Sequence, residues 1–167
     1  CIDRLSRMDG GPPVTPLDEA IDLLAALIRT PSFSREEAAT ADLLARWLSE
    51  RGVDAARKGN NLWARSASHD EAKPTVMLCS HHDTVRPVSS WERDPFDALV
   101  DEERITGLGS NDAGGCLVAL CLVFLALRER GDLPVGRVVD VASAIAEGVE
   151  RGDLPIERVE HAAGDLA

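Results

Sequence analysis

Basic residues are scarce in this 167-residue chain: 18 Lys and Arg stand against 29 Asp and Glu, for a net charge of −11. Nucleic acids and anionic membrane surfaces are held by clustered Lys and Arg, so the deficit argues against both as main partner. It is compatible with a soluble cytoplasmic protein and with a cationic substrate. No two of Cys1, Cys79, Cys116 and Cys121 form a CxxC pair. The last three lie in apolar surroundings, where thiols are expected to be buried and reduced rather than reactive. The apolar run Ala113 to Leu127 falls short of the roughly 18 residues of a membrane span. The opening Cys-Ile-Asp-Arg has none of the apolar stretch of a secretory signal, and Met8 is a candidate initiator. Internal repeats and low-complexity tracts are absent, and the glycines never take the full GxGxxG spacing of a nucleotide site.

What is present suits one packed domain. Hydrophobic residues make up 44% of the chain, enough for a real core. Residues 1–14, with Gly10, Gly11, Pro12 and Pro13, read as a loose leader, and residues 15–167 as the domain. Thr15, Pro16 and Asp18 supply an N-cap, a first-turn proline and a capping-box acid. Leu17, Ile21, Leu24 and Ile28 then repeat at helical spacing. Ser34 and Glu37 have the spacing of a second capping box, opening a helix that runs to about Arg51 and stops at Gly52.

Beyond Gly52 the period changes. Val53–Arg57 and Leu62–Arg65 read as short strands around the turn Lys58-Gly-Asn-Asn61. Thr75–Cys79 is a continuous apolar run, expected to be a buried central strand. Residues 86–103 are rich in turn formers, Ile105–Leu108 suits a short strand, and Ala113–Arg130 a helix apolar nearly all round, expected to bury against a sheet. Val135 onward fits either a strand or a helix, and Leu154–Ala163 reads as helix. Alternating helices and strands imply an α/β layered domain.

Two stretches carry chemistry. Ser80-His-His-Asp-Thr-Val85 follows the apolar strand directly, and the C-terminal ends of strands in open α/β sheets collect ligands. On an extended segment residues i and i+2 point the same way. His81 can therefore ligate a metal while Asp83 orients its imidazole. Gly107-Leu-Gly-Ser-Asn-Asp-Ala-Gly-Gly115 puts Asp112 at a helix start, where the N-terminal N–H groups keep a carboxylate ionised and able to bridge two cations. Taken singly these have plainer readings: a His-His pair is more often structural, Asp112 alone an N-cap, the glycines a tight turn. Their combination at strand and helix termini is more specific than either part.

At these residues the sequence resembles the zinc metallopeptidase family of acetylornithine deacetylase, succinyl-diaminopimelate desuccinylase, aminoacylase and glutamate carboxypeptidase. The resemblance spans residues 17–134. It rests on Thr30-Pro-Ser-Phe-Ser-Arg-Glu-Glu37, Gly59-Asn-Asn-Leu-Trp63, Ser80–Val85, Trp91 with Asp94-Pro-Phe96, and Gly107–Gly115. The Asn-Asp-Ala-Gly-Gly wording looks most like the acetylornithine deacetylase branch. The resemblance implies a zinc-peptidase-type α/β domain with a mixed sheet flanked by helices, from which a smaller dimerisation domain is absent here. It implies that His81 ligates one zinc, that Asp112 bridges two, and that Asp83 orients His81. The implied reaction is zinc-dependent hydrolysis of an N-acyl amino acid, N-acetylornithine first, with succinyl-diaminopimelate or a dipeptide as alternatives. Cobalt is an alternative metal, and complete relatives are expected to be homodimers.

The family pattern also needs an acidic pair after the next strand. Here Ile145-Ala146-Glu147-Gly148 occupies that place: Glu147 matches the metal ligand and Ala146 the general base, whose loss removes ~10²–10⁴-fold of rate. Gly164-Asp165 only faintly matches a later acidic ligand, and His161 reads as a helix residue. The chain is therefore expected to be the N-terminal part of such a domain, incomplete at its C-terminus through truncation, frameshift or divergence. The rival expectation is a non-catalytic metal-binding remnant.

Overall fold

The computed structural model describes residues 15–66, 72–128 and 137–143. The leader 1–14, Cys1, Ala146, Glu147, the helix expected at Leu154–Ala163, His161 and Asp165 lie outside the described residues.

Helix α1 (Pro16–Ile28) starts as its cap dictates. Thr15 Oγ1 accepts from the Asp18 N–H at 3.2 Å, and Asp18 Oδ2 accepts from the Thr15 N–H at 2.8 Å, closing the reciprocal box. The buried stripe is Leu23, Leu24, Leu27 and Ile28, whereas Leu17 in the first turn is exposed. Helix α2 (Ala38–Glu50) buries Ala41, Leu44, Trp47 and Leu48. Just past its end, Arg51 stacks its guanidinium 3.7 Å from the Trp47 ring centroid and pairs with Glu19 of α1 at 3.0 Å. Gly52 follows at φ +68°, the left-handed C′ position that glycine takes without steric cost.

The expected capping box at Ser34 and Glu37 does not form. Arg35 takes φ +76°, which keeps the chain out of helix, and α2 begins only after Glu37. Glu37 thus sits at the cap position, fully buried, accepting from the Arg35 N–H and from Asn60 Nδ2 at 2.8 Å. Ser34 turns its hydroxyl to Asp83 instead.

Strands β1 (Ala56–Lys58) and β2 (Asn61–Arg65) form the hairpin around Gly59. Strand β3 (Thr75–His81) and the last described strand, Arg137–Ser143, run parallel, from Thr75 opposite Arg137 to His81 opposite Ser143. Between them lie a two-stranded ribbon, β4 (Leu99–Val100) with β5 (Ile105–Thr106), a wound segment Ser110–Gly115, and helix α3 (Cys116–Arg128). This last described strand is β6, and it shows residues Arg137–Ser143 of the ambiguous segment from Val135 onward to be strand. The sheet order is β1-β2-β6-β3, with β2 antiparallel and β3 parallel to β6. The result is the expected α/β domain with a mixed sheet and flanking helices: α3 packs on β3, β6 and α1, and α2 on β2.

Three expectations are corrected. Among the described residues β3 is an edge strand, not a central one: β6 is its one ladder neighbour, and Val76 and Met77 are exposed. An apolar run reports affinity for cover and says nothing of how many neighbours a strand has. Cys79 and Cys116 are likewise exposed, and of the described cysteines only Cys121 is buried. Finally, regular helix begins at Cys116 rather than Ala113, because Asp112 (φ −116°, ψ 98°) and Ala113 (φ −121°, ψ 27°) are not helical.

Residues Ser110–Arg128 together span 19 residues of mean hydropathy 1.8, long and apolar enough by those measures to cross a membrane. In this fold Leu117, Val118, Cys121 and Phe124 instead fill the core beside Leu24, Ile28, Leu44 and Leu62. The opposite face of α3 is less covered, with Val123 exposed.

Candidate functional site

Strand β3 ends at His81, opposite Ser143 of its parallel neighbour β6, so the site grows from the C-terminal end of β3. The alternation of an extended chain sends the two histidines to different surroundings. His82 is buried: its Nε2 donates to the Asn60 carbonyl at 2.9 Å, and its Nδ1 lies 2.9 Å from Thr40 Oγ1. Burial pushes this imidazole below the usual histidine range, against the raising pull of the Asn60 carbonyl, Glu37 and Asp83. His82 therefore holds α2 and the β1–β2 turn against β3 as a neutral ring.

His81 faces the open side. Its Nδ1 lies 3.3 Å from Asp83 Oδ1 and 3.2 Å from the Asp83 carbonyl, and its Nε2 lies 3.1 Å from Asp112 Oδ1. The structure thus brings His81, Asp83 and Asp112 together. Asp83 is buried, whereas the Asp112 side chain is 90% exposed. His81 thus lies between Asp83 and Asp112, with each ring nitrogen within hydrogen-bond distance of an oxygen of one of them. The flanking Asp112–Ala113 peptide is cis.

Two glycines shape the loop that carries Asp112. Gly109 has φ +77°, and a Cβ there would stand 2.6 Å from Thr84 Cγ2. At Gly114 a Cβ would meet Leu24 Cδ1 at 2.8 Å and the Gly109 carbonyl at 2.6 Å. Side-chain-free backbone is what lets this loop lie against α1 and the end of β3. A cleft of about 400 Å³ opens over the site, with His81, Thr84, Val85, Trp91, Asn111 and Asp112 in its wall.

The residues present fit half of a metal centre. Two donors on a tetrahedral zinc with bonds of about 2.0–2.1 Å sit roughly 3.3 Å apart, close to the Nε2–Oδ1 separation seen here. Imidazole with carboxylate suits zinc and similar first-row ions. Among the described residues no set of three His, Cys, Asp or Glu converges on one point, so a complete coordination shell needs donors from elsewhere. Glu147, expected as a further ligand, lies outside the described residues.

A neighbouring strap was not foreseen. Ser32–Ser34 runs alongside His82–Thr84: Thr84 N–H donates to the Ser32 carbonyl at 2.7 Å, and Ser34 N–H to the Thr84 carbonyl at 3.3 Å. Ser32 Oγ donates to the His82 carbonyl at 2.8 Å, and Ser34 Oγ to Asp83 Oδ2 at 2.6 Å. The sequence signal for it was the Thr30–Glu37 stretch, whose polar residues read equally well as helix-capping chemistry.

The chain is similar to known proteins. Succinyl-diaminopimelate desuccinylase of Methylobacterium nodulans is 35% identical over 133 residues, covering 71% of this chain and 32% of that enzyme. The same enzyme of Pseudomonas fluorescens is 32% identical over 111 residues, covering 62% of this chain and 28% of its own. Among solved structures, the M20 family metallo-carboxypeptidase Sso-CP2 of Sulfolobus solfataricus superposes with a TM-score of 0.63. It is 25% identical, over 76% of this chain and 31% of that one. The chain thus has the fold of the M20 metallopeptidases and is similar to them in sequence. The Bacillus subtilis YXEP protein, described as a dinuclear metal binding M20 peptidase, shares the fold with a TM-score of 0.55 at 19% identity, over 74% of this chain and 34% of its own. No family model matches the chain. The chain spans about a third of the length of the relatives it matches.

Proposed function

We propose that this chain forms the metal-carrying edge of an M20 amide hydrolase acting on an N-acyl amino acid. The observation that carries the reading is His81 held between two carboxylates, Asp83 on Nδ1 and Asp112 facing Nε2. In this reading His81 Nε2 and Asp112 are metal ligands, Asp112 shared between two ions, and Asp83 keeps the imidazole in the Nδ1–H form. Zinc is the proposed metal, with cobalt as substitute; when bound, such ions acidify water and polarise a scissile carbonyl. This chain's own residues orient the ligands, present Asp112 from the glycine loop, and wall the cleft with Val85 and Trp91. Glu147 is proposed as a further ligand. The base position falls on Ala146, so turnover by this chain requires a base from another residue.

For the acyl group, the curated relatives favour succinyl, in a succinyl-diaminopimelate-like substrate. N-acetylornithine remains the second reading, supported by the Asn-Asp-Ala-Gly-Gly wording at 111–115. A small-molecule partner, homodimeric complete relatives and a cytoplasmic setting belong to the same proposal.

Zinc titration by calorimetry tests the metal reading. His81→Ala and Asp112→Ala are each expected to weaken binding at least tenfold, and unchanged affinity in both would overturn it. Hydrolysis of N-succinyl and N-acetyl amino acids, measured against Asp83→Ala, tests the chemistry. No turnover with saturating zinc or cobalt leaves the non-catalytic metal-binding reading in its place.

A further inference from the structure

Two aromatic rings of this chain already carry a cation of its own. The Arg51 guanidinium lies 3.7 Å from the Trp47 ring centroid, and that of Arg86 lies 4.4 Å from the Phe33 centroid. Trp91 differs: among the described residues no cation stands over its ring, and the residue is 36% exposed. Arg93, two residues on, turns to Asp97 at 3.5 Å instead. Indole is the strongest of the aromatic side chains in attracting a cation to its face.

The place of the ring gives that face a use. The cleft of about 400 Å³ over His81 and Asp112 has a neighbour of about 350 Å³, walled by Trp91, Arg93, Asp97, Leu99 and Thr106. Trp91 and Gly107 belong to both walls. Glycine offers only backbone, so among the described residues the indole is the one side chain that the two clefts share. The loop carrying it is fastened at both ends. Arg86 pairs with Glu36 and covers Phe33, whose ring also meets that of Phe96 at 6.0 Å. The Leu108 N–H donates to the Pro95 carbonyl at 2.7 Å. Between these anchors the Trp91 N–H closes a turn onto the Val88 carbonyl at 3.4 Å.

We propose that Trp91 is a substrate-binding residue whose indole receives an alkylammonium group on a molecule held over His81 and Asp112. Glu92, Asp94 and Asp97 outnumber Arg93 in the second cleft, so the surroundings of the ring favour a cation over a carboxylate. An N-acyl amino acid whose side chain ends in an amine has the matching chemistry. One ending in a methyl group or a carboxylate does not. The inference rests on the amide-hydrolase reading for where the rest of the substrate lies.

The test reads the indole N–H signals of Trp47, Trp63 and Trp91 in the 15N-labelled full chain, metal-free and zinc-saturated, with that of Trp91 identified by its loss in Trp91→Phe. N-acetyl-L-ornithine should move the Trp91 signal and leave the other two in place. N-acetyl-L-norvaline, the same molecule without its terminal amine, should bind roughly two- to thirtyfold more weakly, the range a cation over an indole spans. N-acetyl-L-glutamate should bind no better than the norvaline derivative. Affinities in the variants are read from the backbone amide signals of Gly107 and Gly109. Trp91→Leu, which keeps every carboxylate, should bring the ornithine and norvaline derivatives to within about twofold of each other, while Trp91→Phe keeps part of the gap. An unmoved Trp91 signal in both metal states overturns the proposal, and so does a Trp91→Leu variant with the full preference for the amine. Should Trp91→Leu unfold, Trp91→Ser at this partly exposed position takes its place. If the chain binds no zinc, the metal reading fails while the preference for the amine still decides the role of Trp91.

Discussion

At the scale of single residues, adjacent histidines do unlike work because a strand turns consecutive side chains to opposite faces. His82 is locked between Thr40 and the Asn60 carbonyl, so His82→Ala orphans a buried acceptor and should cost about 1–3 kcal/mol of stability. His81→Ala, at the open edge, should leave the melting temperature within a degree or two of wild type and abolish most zinc affinity. Paired thermal melts and calorimetry on the two variants check this, and the reverse pattern would exchange their roles. Gly109 is the other residue whose chemistry is its backbone. Gly109→Ala must hold φ +77° and drive a methyl against Thr84, an outlier conformation that costs of order 1–3 kcal/mol. The expected result is a lower melting point together with weaker zinc binding, since the same loop presents Asp112. Ala substitution with unaltered affinity would disconnect the loop from the site.

At the scale of elements, α1 carries its own start signal. Hydrogen bonds from the Thr15 backbone and side chain hold the Asp18 carboxyl below the usual carboxylate range. A carboxylate with a depressed folded-state pKa stabilises above its unfolded value, about 3.9 for Asp, and the benefit is lost as pH falls through the folded value. The melting-temperature gap between wild type and Asp18→Asn should be constant above about pH 5 and close toward pH 2. A gap that persists at pH 2 would remove the charge from the account of this cap. Inside α2, Leu44 has no exposed surface, and Leu44→Ala should cost about 2–5 kcal/mol by denaturant titration through lost burial and a residual cavity.

Over the whole molecule, apolar surface is left uncovered where the fold has few described neighbours. Val76 and Met77 on the edge strand β3 and Val123 on α3 are exposed. Exposed apolar edges invite association. The chain should bind an apolar dye and sediment as a concentration-dependent mixture, and the double substitution Met77→Lys with Val123→Lys should reduce both. A dye-silent, sharply monomeric wild type would contradict this.

What the sequence determined by itself was local or tied to one short motif. The Thr15 cap, the Gly52 stop and the hairpin at Gly59 were legible because a cap, a left-handed residue and a tight turn are set within four or five neighbours. The His81–Asp83 pair was legible because both lie on one extended stretch, and Asp112 because glycines flank it. Tertiary structure alone decided the rest. Residues far apart in the chain had to meet before Ser34 exchanged a helix cap for the Asp83 carboxylate, or Glu37 for Asn60. The position of β3 in the sheet was hidden for the same reason. Its apolar residues record that it prefers cover, while hydrogen bonding to β6 sets which edge receives it. Only that pairing places His81 at the sheet edge, 3.1 Å from a carboxylate delivered by a separate loop.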